Sequence, residues 1–229
     1  MLRAQKKISK KVIKEDKLVT TYFKAQSWYD ENRKRLSTIG GVVIVLVLAL
    51  WFYSNNVRAN NERATTDLAK VFTFYDNGQY QIAINGIPER NVTGLQALVD
   101  NYGSTKSGNL AKFYLASAYY NSQDFDKALE YFKDYGGGNP LLEISALAGA
   151  GACFEAKGEL MKAAENFEKA GLKNADDPNA PENLVNAARN FGKAGEKERA
   201  VELLKKVKRE YPSSTAARDV ERYIAEVSA

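Results

Sequence analysis

The stretch GACFEAKGELMKAAENF, Gly151–Phe167, decides the fold of this 229-residue chain. Its central turn, Gly158-Glu-Leu160-Met-Lys-Ala163, has three counterparts: Gly78-Gln-Tyr80-Gln-Ile-Ala83, Gln123-Asp-Phe125-Asp-Lys-Ala128 and Gly195-Glu-Lys197-Glu-Arg-Ala200. The four alanines stand 45, 35 and 37 residues apart. Twelve residues before each alanine lies Val71, Ala116, Gly151 or Ala188, mostly small. Nine before it lies an aromatic: Phe74, Tyr119, Phe154 or Phe191. Four after it lies Ile87, Phe132, Phe167 or Leu204, and Pro140 and Pro212 follow their alanines by 12 residues.

This pattern predicts an all-α array of about four helical hairpins. The small residue on the first helix and the alanine on the second let the two approach closely. The aromatic fills the space beside that contact. A glycine ends the first helix in a left-handed cap, and a proline marks the passage to the next unit. The first unit departs from the pattern: Gly86 and Pro88 are expected to break its second helix, which Leu95 to Asn101 resumes. The second has Gln123 where glycine is usual. Ser213 to Val227 reads as a solvent-facing closing helix, with Ser213 or Ser214 as its N-cap.

Upstream of the array the charge is uneven. The whole chain carries +5, from 33 basic and 28 acidic residues, but residues 1–35 hold 11 basic and four acidic ones, a net +7. The remainder is slightly acidic, so the basic balance belongs to an arm that includes Arg3, Lys6, Lys7, Lys10, Lys11 and Lys14. Leu36 to Tyr53, LSTIGGVVIVLVLALWFY, contains no charge. As a helix its 18 residues cover about 27 Å, close to a hydrocarbon core. Arg33, Lys34 and Arg35 flank one end, and Trp51 and Tyr53 the other. The expected organisation is a basic cytoplasmic arm over 1–35, a membrane span over 36–53, a short linker over 54–61 and the helical array over 62–229, on the far side. A signal peptide cleaved near Val57-Arg58-Ala59 is the competing reading, but about 35 residues before the apolar core is long for one. A buried core helix is disfavoured by the basic cluster beside an unbroken apolar run.

Within the arm, Leu18, Tyr22, Ala25, Tyr29 and Leu36 recur at helical steps, with Val19, Phe23 and Trp28 nearby. This amphipathic helix is expected to meet lipid at the inner leaflet, a docked partner being the alternative. Lipid is thus contacted through 36–53 and through the arm, and nucleic acid is not an expected partner, because the arm sits against a membrane.

Composition excludes much chemistry. With no histidine, histidine-based triads and HExxH zinc sites are impossible, and a single cysteine, Cys153, forms no intramolecular disulfide. Glu155, Glu159 and Glu165 are spread along paired helices and suit solvent better than acid–base work. Gly136-Gly137-Gly138 lacks the Lys-Ser or Lys-Thr of a phosphate loop and reads as a turn between units. Cys153, in mid-helix beside an aromatic, reads as a buried inert thiol. No catalytic, cofactor or metal site is expected.

The spacing over residues 62–212 resembles the tetratricopeptide repeat (TPR). That resemblance implies that the first helix of each hairpin lines an inner face that binds peptides or proteins. Counting from the turn alanines, Leu68, Phe72, Tyr75, Phe113, Tyr120, Glu155 and Arg189 become the candidate groove residues, aromatic in the first half and charged in the second. The order of KLVTTYFKAQSWYDENRKRL (Lys17–Leu36), one span and an array ending YPSSTAARDVERYIA (Tyr211–Ala225) resembles the bacterial single-span TPR proteins related to YfgM, the ancillary Sec translocon subunit. This likeness implies a non-enzymatic inner-membrane scaffold with a periplasmic array. Its expected partners are translocon subunits, a periplasmic chaperone and unfolded polypeptide segments. The closing YPSSTAARDV also resembles TPR proteins of outer-membrane assembly and cell-division complexes, the alternative setting.

Overall fold

The structure is a computed structural model that describes residues 10–228, with side chains from Lys17 onward. Arg3, Lys6 and Lys7, and the side chains of Lys10, Lys11 and Lys14, lie outside the described residues. The chain divides into two compact units between Asn56 and Val57.

The first unit is carried by helix α1, Lys10–Asp76, which runs on into the second. Val42 to Tyr53 are exposed along their whole length. α1 is the one helix among the described residues long and apolar enough to cross a membrane. Residues 54–61, expected as a linker, are helical and belong to α1. Nothing in them breaks a helix: the stretch has no glycine or proline.

The second unit is built of helical hairpins. The last turns of α1 lead through the Gly78 turn into α2 (Tyr80–Asn85), which packs on α3 (Leu95–Tyr102). Three regular hairpins follow: α4 (Lys106–Asn121) with α5 (Phe125–Asp134), α6 (Pro140–Ala156) with α7 (Leu160–Lys173), and α8 (Ala180–Lys193) with α9 (Lys197–Glu210). The closing segment is two helices, α10 (Thr215–Arg218) and α11 (Val220–Ser228), because the chain bends at Asp219. Ser214 is its N-cap, its hydroxyl accepting from the Ala217 amide at 3.1 Å.

Each hairpin turn is closed in the same way. The residue at the glycine position adopts positive φ, +72° at Gly78, +75° at Gly158 and +94° at Gly195. The following amide reaches back to the aromatic's carbonyl, as Glu159 N to Phe154 O and Glu196 N to Phe191 O, both 2.9 Å. These bonds satisfy carbonyls that a helix end leaves free. Gln123 holds the same left-handed conformation at +63°, and Asp124 N reaches Tyr119 O at 2.9 Å. The turn survives without glycine, at the steric cost of a Cβ.

Small residues set the helix spacing as the pattern required. Ala83, Ala128, Ala163 and Ala200 are fully buried, as are Val71, Ala116 and Ala188. At Gly151 an added Cβ would lie 3.0 Å from Cγ of Phe167, so this contact admits no larger residue without a shift. Tyr119, Phe154 and Phe191 are buried beside these contacts, and Phe74 is partly buried.

The first repeat contains a feature that the residue pattern did not announce. Where α2 stops, Gly86–Ile87 (β1) pairs antiparallel with Val92–Thr93 (β2), Gly86 opposite Thr93 and Ile87 opposite Val92. A 3₁₀ turn over Pro88–Arg90 joins them. Gly86 and Gly94 lie so close that a Cβ on either would strike the other's backbone nitrogen at 2.5 Å. α3 then resumes the helical path, one residue longer than expected.

Candidate protein-binding groove

Five of the seven candidate residues fall at two recurring positions on the first helices. Tyr75, Tyr120 and Glu155 stand eight residues before their turn alanines, and Phe72 and Arg189 stand eleven before. All five are half-buried, as is Phe113. Leu68 departs: it is 8% exposed and belongs to the core. The reason is local. β2 ties down one side of that turn, with Thr93 Oγ1 donating to Asp67 Oδ2 at 3.4 Å. On another side Ser107 packs in, its hydroxyl 2.7 Å from Thr65 Oγ1 and its amide donating to Asn61 at 2.9 Å. The inserted hairpin and the start of α4 therefore close over Leu68.

The aromatic half forms a contiguous cluster. The Phe72 ring lies 5.7 Å from Tyr75 and 5.0 Å from Tyr114, centroid to centroid, and Tyr75 lies 5.2 Å from Tyr114. Tyr80 joins at 5.7 Å from Tyr75, and Phe113 at 5.8 Å from Tyr114. Most pairs are edge-to-face, the arrangement that ring quadrupoles favour. Tyr114, at the centre, was not among the candidates. The signal was present: it lies one helical turn before Ser117, which occupies in its unit the position of Phe72.

Beyond this cluster the face becomes polar. Burial pushes the Tyr75 phenol above its ordinary range and outweighs the opposing influence of the Ser117 hydroxyl. Tyr120 stacks edge-on with Phe125 at 5.5 Å. Burial raises its hydroxyl too, with the neighbouring Cys153 and Glu155 adding to the effect. Glu155 in turn pairs with Lys193 at 3.4 Å. Arg189 lies 5.6 Å from the centroid of the Tyr223 ring on α11, and its Nε is buried without a hydrogen-bond partner among the described residues. The face thus passes from Phe72 and Tyr75, through Tyr120, to Glu155 and Lys193.

The reactive groups are occupied structurally. Cys153 is buried, and desolvation pushes its thiol up to about 11. Hydrogen bonding to Lys162 holds the Glu159 carboxyl below its ordinary value. Among the described residues no three His, Cys, Asp or Glu side chains converge on a metal position. The arrangement can present apolar, edge-exposed rings beside a paired carboxylate and ammonium. That is the chemistry of adsorbing a side chain.

Repeated hairpins, alanine-lined helix contacts and left-handed turns define a helical-repeat binding domain. The chain belongs to the tetratricopeptide repeat-like domain family, whose model matches residues 26–151, more than half its length. A tetratricopeptide repeat also matches residues 182–214. Among solved structures, a putative kinesin light chain from Podosopora anserina with nearly identical TPR-like repeats is similar at a TM-score of 0.56 and 17% identity, over 73% of this chain and 86% of that one. A single-substitution variant of that protein matches equally, over 85% of its length. These likenesses concern the fold. No curated protein matches the chain.

Proposed function

We propose that the protein is a non-enzymatic, membrane-anchored scaffold that holds protein partners against the first-helix face of its repeats. One observation carries this reading: the cluster of Phe72, Tyr75, Tyr80 and Tyr114 remains partly exposed although each ring has aromatic neighbours. Half-exposed aromatic clusters serve as anchor surfaces for apolar side chains. The apolar, charge-flanked stretch 36–53 supports the anchor, and the family match begins upstream of it, at residue 26.

In this reading α1 spans the bacterial inner membrane once. Residues 1–35 are cytoplasmic and the repeats face the periplasm beside the Sec translocon. There they recruit a periplasmic chaperone or take up unfolded segments of emerging chains. The support is the sequence order already described, with the basic residues on the arm and the aromatic pair at the far end.

Mild-detergent purification through a C-terminal tag, with cross-linking and mass spectrometry, tests the setting. Recovery of translocon subunits with a periplasmic chaperone is expected. Recovery of outer-membrane assembly or division components alone would move the scaffold to that setting. Protease added to cells with permeabilised outer membranes tests the topology: digestion of the repeats is expected, and full protection would overturn it.

A further inference from the structure

The arm of α1 carries an apolar seam that its own geometry removes from the lipid. Leu18, Tyr22 and Tyr29 are 69%, 64% and 53% exposed. With Ala25, Asn32 and Leu36 they follow alternating steps of four and three residues, and the pattern continues through residues 39 and 43. That is the spacing of a two-stranded coiled-coil seam, carried by the arm over about two and a half heptads before it enters the uniformly apolar span. No proline occurs in α1, and the backbone is helical without interruption through Arg33 and Gly41. The arm therefore continues the direction of the span and does not turn to lie flat. At 1.5 Å per residue, Tyr29 stands about 10 Å and Leu18 about 27 Å beyond Leu36, outside a headgroup layer about 5–8 Å deep.

We infer that this seam pairs with a second copy of the chain, in parallel and in register. The inference rests on the membrane-spanning reading: two copies threaded through one membrane in one direction can only run parallel. The flanks suit that register. Trp28 of one copy falls beside Arg33 of the other, an aromatic–guanidinium pair, and Thr21 falls beside Gln26. No like charges oppose each other across these positions. Lys17, Lys24 and Lys34 fall on the outer face. Asn32, whose amide donates to the Trp28 carbonyl at 2.8 Å within its own helix, is the one polar residue of the seam through Leu36. Asn32 stands at a d position, where in a parallel, in-register pair it meets its own equivalent, so each polar amide faces a polar partner.

The test uses the full chain in isolated membranes, oxidised with copper-phenanthroline. Tyr22→Cys and Tyr29→Cys probe the seam, and Lys24→Cys and Lys34→Cys probe the outer face. The parent chain, whose Cys153 is buried, is the blank. Disulfide-linked dimer is expected at the seam positions on the order of tenfold above the outer ones, because the bond needs Cβ atoms about 4 Å apart and opposite helix faces lie about 10 Å away. Equal dimer at all four positions, none at any, or adducts with other proteins only overturns the pairing. Alkaline carbonate extraction of the same membranes scores the span separately. Release of the chain would refute the membrane reading, while the cross-linking pattern is read on its own.

Discussion

Gln123 offers a perturbation whose sign the structure sets. It holds φ +63° at a turn where the other three units place glycine. A left-handed residue with a Cβ costs roughly 1–2 kcal/mol. Replacing it by glycine removes that cost but frees the unfolded chain, which takes back about 0.5–1 kcal/mol. Gln123→Gly should therefore stabilise the fold by about 0.5–1 kcal/mol, a rise in Tm of about 1–4 °C for a domain of this size. No side-chain contact confounds this. Gln123 is exposed, and its hydrogen bond in the turn is made by its backbone amide, to Tyr120 O at 3.0 Å. The reverse change, Gly158→Gln, should destabilise by a similar amount, since open space surrounds a Cβ at Gly158 and only the +75° backbone objects. Circular-dichroism melts of both variants beside the parent read the effect. If Gln123→Gly is neutral or lowers Tm while Gly158→Gln is costly, the steric argument for this turn fails.

Other outcomes follow from packing and charge. Leu68→Ala should cost about 2–5 kcal/mol, read by urea unfolding, because Leu68 is core. By contrast Phe72→Ala with Tyr120→Ala should weaken partner capture in the pull-down while helicity is retained; undiminished capture would remove these rings from the binding surface. Gly192→Ala places a Cβ 2.5 Å from Val227 Cγ1, so it should loosen α11 and speed proteolysis near the C-terminus. Cys153, held near 11 against an ordinary 9, should resist maleimide at pH 8 until the protein is unfolded. The fold favours its neutral thiol, so this contribution is complete below pH 9 and is lost as pH rises from about 9 to about 11, which an alkaline unfolding series would follow.

The hairpins were legible because close helix packing tolerates few residues. Alanine at four turns and Val71, Ala116, Gly151 and Ala188 opposite them leave a periodic mark that survives the changes around it. The groove was less legible. Leu68 and Phe113 stand at equivalent positions, fifteen before their alanines, yet one is core and the other half-buried. What separates them is the inserted β1–β2 hairpin, a tertiary neighbour that the repeat register does not encode. The continuity of α1 through residues 54–61 was missed for the opposite reason. Those polar residues read as a linker by composition, while their helical state reflects the absence of any breaker. Tyr114 shows a third limit, since counting from the turns picks positions and overlooks the ring between them.

The closing helices also set the order in which the array comes apart. Each hairpin rests on its neighbours, so the helices with the fewest buried residues open most readily. At the C-terminal edge only Val220 and Val227 of α11 are buried, against nine buried residues in α8. Amide exchange should thus quicken from α8 toward α11, as opening at the edge needs the least surface uncovered. A ligand seated against Arg189 and Tyr223 would clamp that edge, and its arrival would register first as slowed exchange in the last nine described residues.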